Sequence, residues 1–338
     1  MITNRKEQHL TIVSEQDVES LASTGLERYR LRHCALPEMS LAQVDLSSEF
    51  CGHALAAPLM ITGMTGGSAR AGIVNRRLAQ AAQATGIALN LGSQRVALEQ
   101  PELLSTYQVR DAAPDVLLLA NLGAVQFNYG LTIDHCLEAV AAIDADGLVL
   151  HLNPLQEAVQ PEGDTDFGGL LTRISELCHR APFPVLVKEV GWGISAPLVQ
   201  ALQSAGVAAV DVSGSGGTSW SRVESYRLVD SKAVAIASAF EDWGIPTATA
   251  LVEARAACPD LPLVASGGIT TGVDAVKCLA LGANLAGLAR PLLRPALSSA
   301  EAVRRAVEVL LGQMRLAMFC TGCATLADLT ADILYKEG

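Results

Sequence analysis

Four side chains able to do chemistry fall within seven residues, His151-Leu-Asn-Pro-Leu-Gln-Glu157. Histidine titrates near neutrality. Glu157 is a carboxylate of the kind that holds Mg2+, an ion that takes one or two carboxylates and completes its shell with substrate phosphates and water. Gln156 does not titrate, so it can only orient a ligand or relay a proton. An ordinary surface glutamate would look the same at position 157, and residue types alone leave both readings open.

Two glycine-bearing segments point to an anion. Ser266-Gly-Gly268 and Gly287-Leu-Ala-Arg290 each follow or end an apolar run, and glycine permits the close backbone approach that phosphate binding requires. A tight turn would also account for the glycines. Lys188 lies inside the apolar run Val185-Leu-Val-Lys-Glu-Val190, where a buried ammonium needs a partner. That partner is either a neighbouring carboxylate or the anionic edge of a bound cofactor. Arg5, Lys6, His9 and Arg95 are cations with no helix-face role, and the first three matter only if the amino terminus folds over the site.

Positioning these groups takes regular elements. Apolar, β-branched runs ending in glycine or a polar residue recur eight times: 58–64, 87–92, 116–123, 147–153, 184–190, 208–214, 262–268 and 285–290. Helical patterns separate them at 69–85, 132–143, 166–180, 195–204, 247–257, 272–281 and 299–318, with Ser195 and Thr247 as expected N-caps. Only a short helix fits the second unit, between Pro101 and Arg110. Continuous apolar strands alternating with helices predict a closed parallel α/β barrel, the (β/α)8 or TIM barrel. An open doubly wound sheet is the alternative, but Gly63-Met-Thr-Gly-Gly67 lacks the G-x-G-x-x-G spacing. The expected organisation is one domain over 1–338, with an N-terminal extension (1–57), a barrel (58–320), and a long, lid-like loop between Ser215 and Phe240 after strand six.

The totals agree with such a barrel. Of the 338 residues 50% are hydrophobic and 17% charged, which suits strands covered on both faces. A net charge of −11 without a basic run argues against nucleic acid or an anionic membrane as partner. No apolar core follows the charges of the amino terminus, and the longest uncharged stretch carries Pro197, so we expect a cytoplasmic protein without signal peptide or membrane span. The eight cysteines are then expected to be reduced, Cys320-Thr-Gly-Cys323 included.

Read together, several separated motifs resemble one family, the type 2, FMN-dependent isopentenyl-diphosphate delta-isomerases. They are Arg5-Lys-Glu-Gln-His9, Met64-Thr-Gly-Gly67, Gly92-Ser-Gln-Arg95, Asn121-Leu-Gly123, His151 to Glu157, Val187-Lys-Glu-Val-Gly191, Asp211 to Trp220, Ala265-Ser-Gly-Gly268 and Gly287-Leu-Ala-Arg-Pro291. The likeness covers nearly the whole chain. It implies an isomerase of isoprenoid biosynthesis that interconverts isopentenyl and dimethylallyl diphosphate, with reduced FMN as acid and base.

Residue by residue, the resemblance puts Met64, Thr65, Gly66, Ser93, Asn121, Lys188, Ser213 and Thr218 on the flavin, and Gly267, Gly268, Ala289 and Arg290 on its phosphate. Arg5, Lys6, His9, Arg95, His151, Asn153, Gln156 and Trp220 would surround the substrate, and Glu157 would hold Mg2+. Gln156, His151 and Glu224 are the catalytic candidates, and Trp220 is either an alkene wall or a loop anchor. The resemblance further implies NADPH as flavin reductant and a homo-octamer. Ser215 departs from the family's usual small residue, and the Cys320/Cys323 pair is outside the pattern. An FMN-dependent 2-hydroxy-acid oxidase shares the barrel but needs a histidine base on a later strand, and no histidine follows His179.

Overall fold

The computed structural model describes residues 2–337. Helix α1 (Ile2–Glu15) is followed by strand β1 (Tyr29–Leu31) and the hairpin β2 (Ser48–Phe50) and β3 (His53–Leu55). The barrel then begins. Its first half is β4 (Leu59–Ile61), α2 (Ala69–Thr85), β5 (Ala88–Asn90), α3 (Arg95–Glu99), β6 (Leu118–Gly123), α4 (Ile133–Ala141) and β7 (Gly147–His151). Its second half is α5 (Pro154–Val159), α6 (Leu170–Arg180), β8 (Val185–Lys188), α7 (Ala196–Ser204), β9 (Ala209–Asp211), α8 (Trp220–Ser225), α9 (Ser231–Ser238), α10 (Thr247–Ala257), β10 (Leu263–Ala265), α11 (Gly272–Ala280) and β11 (Leu285–Leu288). Helices α12 (Arg290–Ser298) and α13 (Ala300–Phe319) and strand β12 (Leu334–Lys336) complete the chain.

Strands β4 to β11 are parallel neighbours in chain order, and β11 closes on β4. All eight apolar runs are therefore the barrel strands. Helix α2 has the predicted bounds because Ser68 caps Ala71 N–H and Gly86 ends it at φ 66°. The second unit is the short one, with α3 and a 3-10 turn at Pro101–Thr106. One cap differs from expectation. Pro246 takes the N-cap position of α10, and Thr247 is its first residue, donating its hydroxyl to the Gly267 carbonyl at 2.6 Å.

Two apolar layers hold the barrel. The larger lies between strands and helices. The smaller fills the lumen with Met60, Ala88, Leu119, Val149, Leu186, Ala209, Val264 and Leu285, and the hairpin residues Phe50 and Leu55 plug it from below. With that end sealed, the opposite, C-terminal mouth is left for a site.

The extension wraps the outside and returns over the mouth. β1 pairs with β12, tying the extension to the tail. Residues 18–20 run as a strap along the loop after β9, with Ser219 N–H to Val18 O at 2.8 Å and Ser20 N–H to Gly217 O at 2.7 Å. Helix α1 contacts α2, α8 and α12, so it lies across its own barrel. The long loop itself is built of α8 and α9. Among the described residues no helix is long and apolar enough to cross a membrane, and all eight cysteines are free.

Candidate active site

Strand geometry builds the floor of the site. Side chains alternate, so the residue two beyond each lumen residue points into the barrel again, one layer higher. Applied to the eight lumen residues, that step gives Thr62, Asn90, Asn121, His151, Lys188, Asp211, Ser266 and Gly287. An apolar layer is capped by a polar one. Above it lies a cavity of about 580 Å3.

Within the floor, His151, Lys188 and Asp211 are register neighbours on consecutive strands. His151 Nδ1 donates to Asn121 Oδ1 at 2.9 Å, since an amide oxygen only accepts. Its Nε2 is left as an acceptor. Burial, together with Lys188 and Lys6, pushes the imidazole down to about 3, so it is neutral at working pH. Burial likewise lowers Lys188, against the opposing pull of Asp211 and Glu189, and its Nζ donates to the Glu189 carbonyl at 2.6 Å. Both partners expected for this ammonium are thus partly met: carboxylates lie close, and Lys188 also lines the cavity. Asp211 Oδ1 accepts from Ser266 Oγ at 2.7 Å, while its buried Oδ2 has no partner among the described residues.

The segment after β7 forms one wall. Glu157 is buried, accepting from Asn153 Nδ2 and the Asp164 N–H at 2.8 Å each and from Gln160 Nε2. Every donor to it is uncharged. Gln156 Nε2 donates to Oε1 of Glu224 at 3.1 Å. Glu224 is fully buried; burial alone would raise its carboxyl, but His9 and Arg227 overcompensate and hold it below the usual range.

Helix α1 supplies the roof. His9 Nε2 lies 2.9 Å from Glu224 Oε1, and its ring meets Trp220 edge-on with centroids 5.2 Å apart. Lys6 Nζ donates to Ser93 O at 2.5 Å and to the Tyr107 hydroxyl at 2.6 Å. Burial and the nearby Arg5 lower Lys6 to about 7. Arg5 reaches Gln160 at 3.5 Å. Arg95 is held by Asp164 at 2.5 Å and Glu99 at 2.9 Å, so an incoming anion would have to share it.

The opposite wall is a glycine cradle. Gly267 (φ 100°) and Gly268 (φ 72°) pack so tightly on the loop after β9 that a Cβ would lie 2.0 Å from Gly214 O and 2.4 Å from Gly216 O. Only glycine fits. Helix α12 starts beside them, its N-cap Ala289 offering no side-chain acceptor to the first-turn N–H groups. Arg290, expected on a phosphate, pairs with Glu19 of the strap at 2.7 Å while still lining the cavity.

Nearly every expected residue meets in this one cavity: Arg5, Lys6, His9, Met64, Thr65, Ser93, Arg95, Asn121, His151, Asn153, Gln156, Glu157, Lys188, Ser213, Thr218, Trp220, Gly267, Gly268, Ala289 and Arg290 line it. Two expected residues stand behind the wall. Gly66 packs under Tyr107, and Glu224 reaches the cavity only through Gln156 and His9. Residues not expected from sequence are Thr62, Asn90, Asp211, Tyr107, Gln160 and Asp164. Strand parity would have found the first three.

A parallel barrel whose mouth carries a glycine cradle at its last two strands has the arrangement of a phosphate-binding barrel enzyme, and the match of the FMN-dependent dehydrogenase family model to residues 154–336 makes it an FMN-dependent one. Among solved structures, a mandelate oxidase mutant with an FMN adduct shares the fold at TM-score 0.68 and 18% identity, covering 98% of this chain and 92% of that one. A flavocytochrome b2 variant with sulfite does so at 0.72 and 19%, covering 97% and 82%. Closer relatives carry another name. Isopentenyl-diphosphate delta-isomerases from Synechococcus sp. and Stutzerimonas stutzeri are 54% and 52% identical, each over 97% of this chain and over 94% and 95% of their own lengths. That from Nostoc sp. is 48% identical over 96% of this chain and 93% of its own. The chain belongs to the type 2, FMN-dependent isopentenyl-diphosphate delta-isomerase family and is an enzyme.

Proposed function

We propose that this chain interconverts isopentenyl and dimethylallyl diphosphate with reduced FMN across the barrel mouth, Mg2+ on the diphosphate, and NADPH as the flavin's reductant. One observation carries the reading: a single cavity has a phosphate-type cradle on one wall and, across from it, Arg5, Lys6, His9 and Arg95 together with the buried carboxylate of Glu157.

The residues present fit both groups. Gly267, Gly268, Ala289 and Arg290 would hold the FMN phosphate, at backbone that excludes any Cβ and at a helix N-terminus. Met64, Thr65, Ser93, Asn121, Lys188, Ser213 and Thr218 would face the ring system, with Gly66 behind them. Glu157 would hold Mg2+. Among the described residues no group of three or more His, Cys, Asp or Glu could bind a metal alone, which suits an ion that brings diphosphate and water with it. When bound and reduced, the flavin supplies an acid–base group near the substrate's carbons.

The side chains do the rest. Arg5, Lys6, His9 and Arg95 bind the diphosphate, each charge-assisted hydrogen bond worth about 1.5–3 kcal/mol. Protonation of an unactivated alkene develops cationic character, so water must be kept out; α1 and Trp220 close the mouth. His151 stays neutral and offers Nε2 as an acceptor. Gln156, held by Glu224 and Asn153, orients the substrate or relays a proton. We further assign the enzyme to the cytoplasm as a homo-octamer.

The test is an anaerobic incubation with isopentenyl diphosphate followed by product analysis. Dimethylallyl diphosphate should form only when the flavin is reduced and Mg2+ is present. Equal conversion with oxidised flavin, or after removal of the metal, would contradict the corresponding half of the reading.

A further inference from the structure

Tyr107 lies outside every motif, in the short second unit of the barrel, yet it touches three parts of the site. Its side chain is fully buried. The hydroxyl donates to Ser93 O and accepts from Lys6 Nζ, both at 2.6 Å. Lys6 also donates to Ser93 O at 2.5 Å, so ammonium, phenol and carbonyl form a closed triangle. The Lys6 ammonium sits 5.3 Å from the Tyr107 ring centroid. Beneath, the ring occupies the space that a Cβ on Gly66 would need, 2.0 Å away. Burial pushes the phenol well above its ordinary range, which keeps the donor proton in place.

An ammonium has three N–H donors. Two are committed to neutral acceptors, which leaves one, and Lys6 lines the cavity. Among the described residues, no carboxylate lies within ion-pair distance of Lys6. The triangle thus holds a charge in a fixed place while leaving it unneutralised, which is what an anion site requires.

We propose that Tyr107 is a positioning residue that fixes Lys6 of helix α1 against the loop after β5 and so aims its ammonium at the substrate's diphosphate. This rests on the substrate reading above. The hydroxyl acts through Lys6, and the ring sets the floor under Gly66.

The experiment uses FMN-loaded protein as wild type, Tyr107→Phe, Lys6→Ala and the double variant. Inorganic pyrophosphate with Mg2+ is titrated calorimetrically, and steady-state kinetics are measured with isopentenyl diphosphate. Tyr107→Phe should weaken pyrophosphate binding and raise KM about tenfold, while kcat changes less than about threefold. In the Lys6→Ala background the same substitution should have almost no effect, because the two act as one unit. Wild-type affinity in Tyr107→Phe, or losses that add fully in the double variant, would overturn the proposal. Loss of FMN or of the fold in Tyr107→Phe would overturn it too, by assigning the hydroxyl to barrel integrity. A wild-type enzyme that binds no pyrophosphate would instead sink the substrate reading, before any variant is made.

Discussion

Gln156 Nε2 donates to Oε1 of Glu224 at 3.1 Å, joining a residue of the cavity wall to a carboxylate with no exposed surface. Glu224 is ionised and gripped by His9 and Arg227, so it fixes the amide by its charge. The amide then presents a set orientation to the cavity. Shortening the side chain by one methylene breaks that geometry. Gln156→Asn should lower kcat at least a hundredfold while FMN absorbance stays that of wild type. Near-normal turnover in this variant would reject the role.

Lys6 gives the pH dependence a sign. Its pKa is lowered to about 7 in the free enzyme, mainly by burial. The ammonium is present below that value and is lost as pH rises through it, and with it an attraction for the diphosphate. kcat/KM should fall above about pH 7, and Lys6→Met should remove that limb while lowering the plateau. His151, lowered to about 3, should contribute no limb between pH 5 and 8.

Glu157 is buried with uncharged donors only, and a divalent cation would supply the missing positive charge. Glu157→Gln should raise the Mg2+ concentration for half-maximal activity at least tenfold, read from a metal titration of the rate. An unchanged titration would remove Glu157 from the metal.

The glycine cradle leaves no room for a methyl group. At Gly267, with φ 100°, a Cβ would sit 2.0 Å from a backbone oxygen rather than from a movable side chain. Gly267→Ala should cost about 1–3 kcal/mol in strain and shift the loop that would receive the phosphate. Thermal melts with and without FMN should show a lower Tm and a smaller stabilisation by FMN. Undiminished FMN stabilisation would separate the cradle from the phosphate.

Much of this was legible in the sequence, for physical reasons. Strands buried on both faces read as apolar runs, and each ends where glycine or a polar residue meets the mouth, so all eight could be placed. The bounds of α2 were legible from its helical pattern, and the structure adds the Ser68 cap at its start. Asn90 and Asp211 escaped because each is one polar residue inside an apolar run. Their inward direction depends on knowing which neighbour lies in the lumen layer. Tyr107, Gln160 and Asp164 escaped because their roles are contacts across 101, 155 and 69 residues of chain to Lys6, Arg5 and Arg95. The pairing of Arg290 with Glu19 was equally out of reach, since nothing local places the strap over the cradle. Thr247 has the composition of a cap, but the Pro246 before it takes that position and frees the hydroxyl for Gly267.

The proposed reaction is a double-bond shift without net oxidation. The direct measurement is the number of dimethylallyl diphosphate molecules formed per NADPH consumed, followed by NMR under anaerobic conditions with a limiting amount of NADPH. Many product molecules per NADPH are expected, because reducing equivalents prime the flavin and are not spent. A ratio of one, or NADPH consumption with no dimethylallyl diphosphate, would contradict the account.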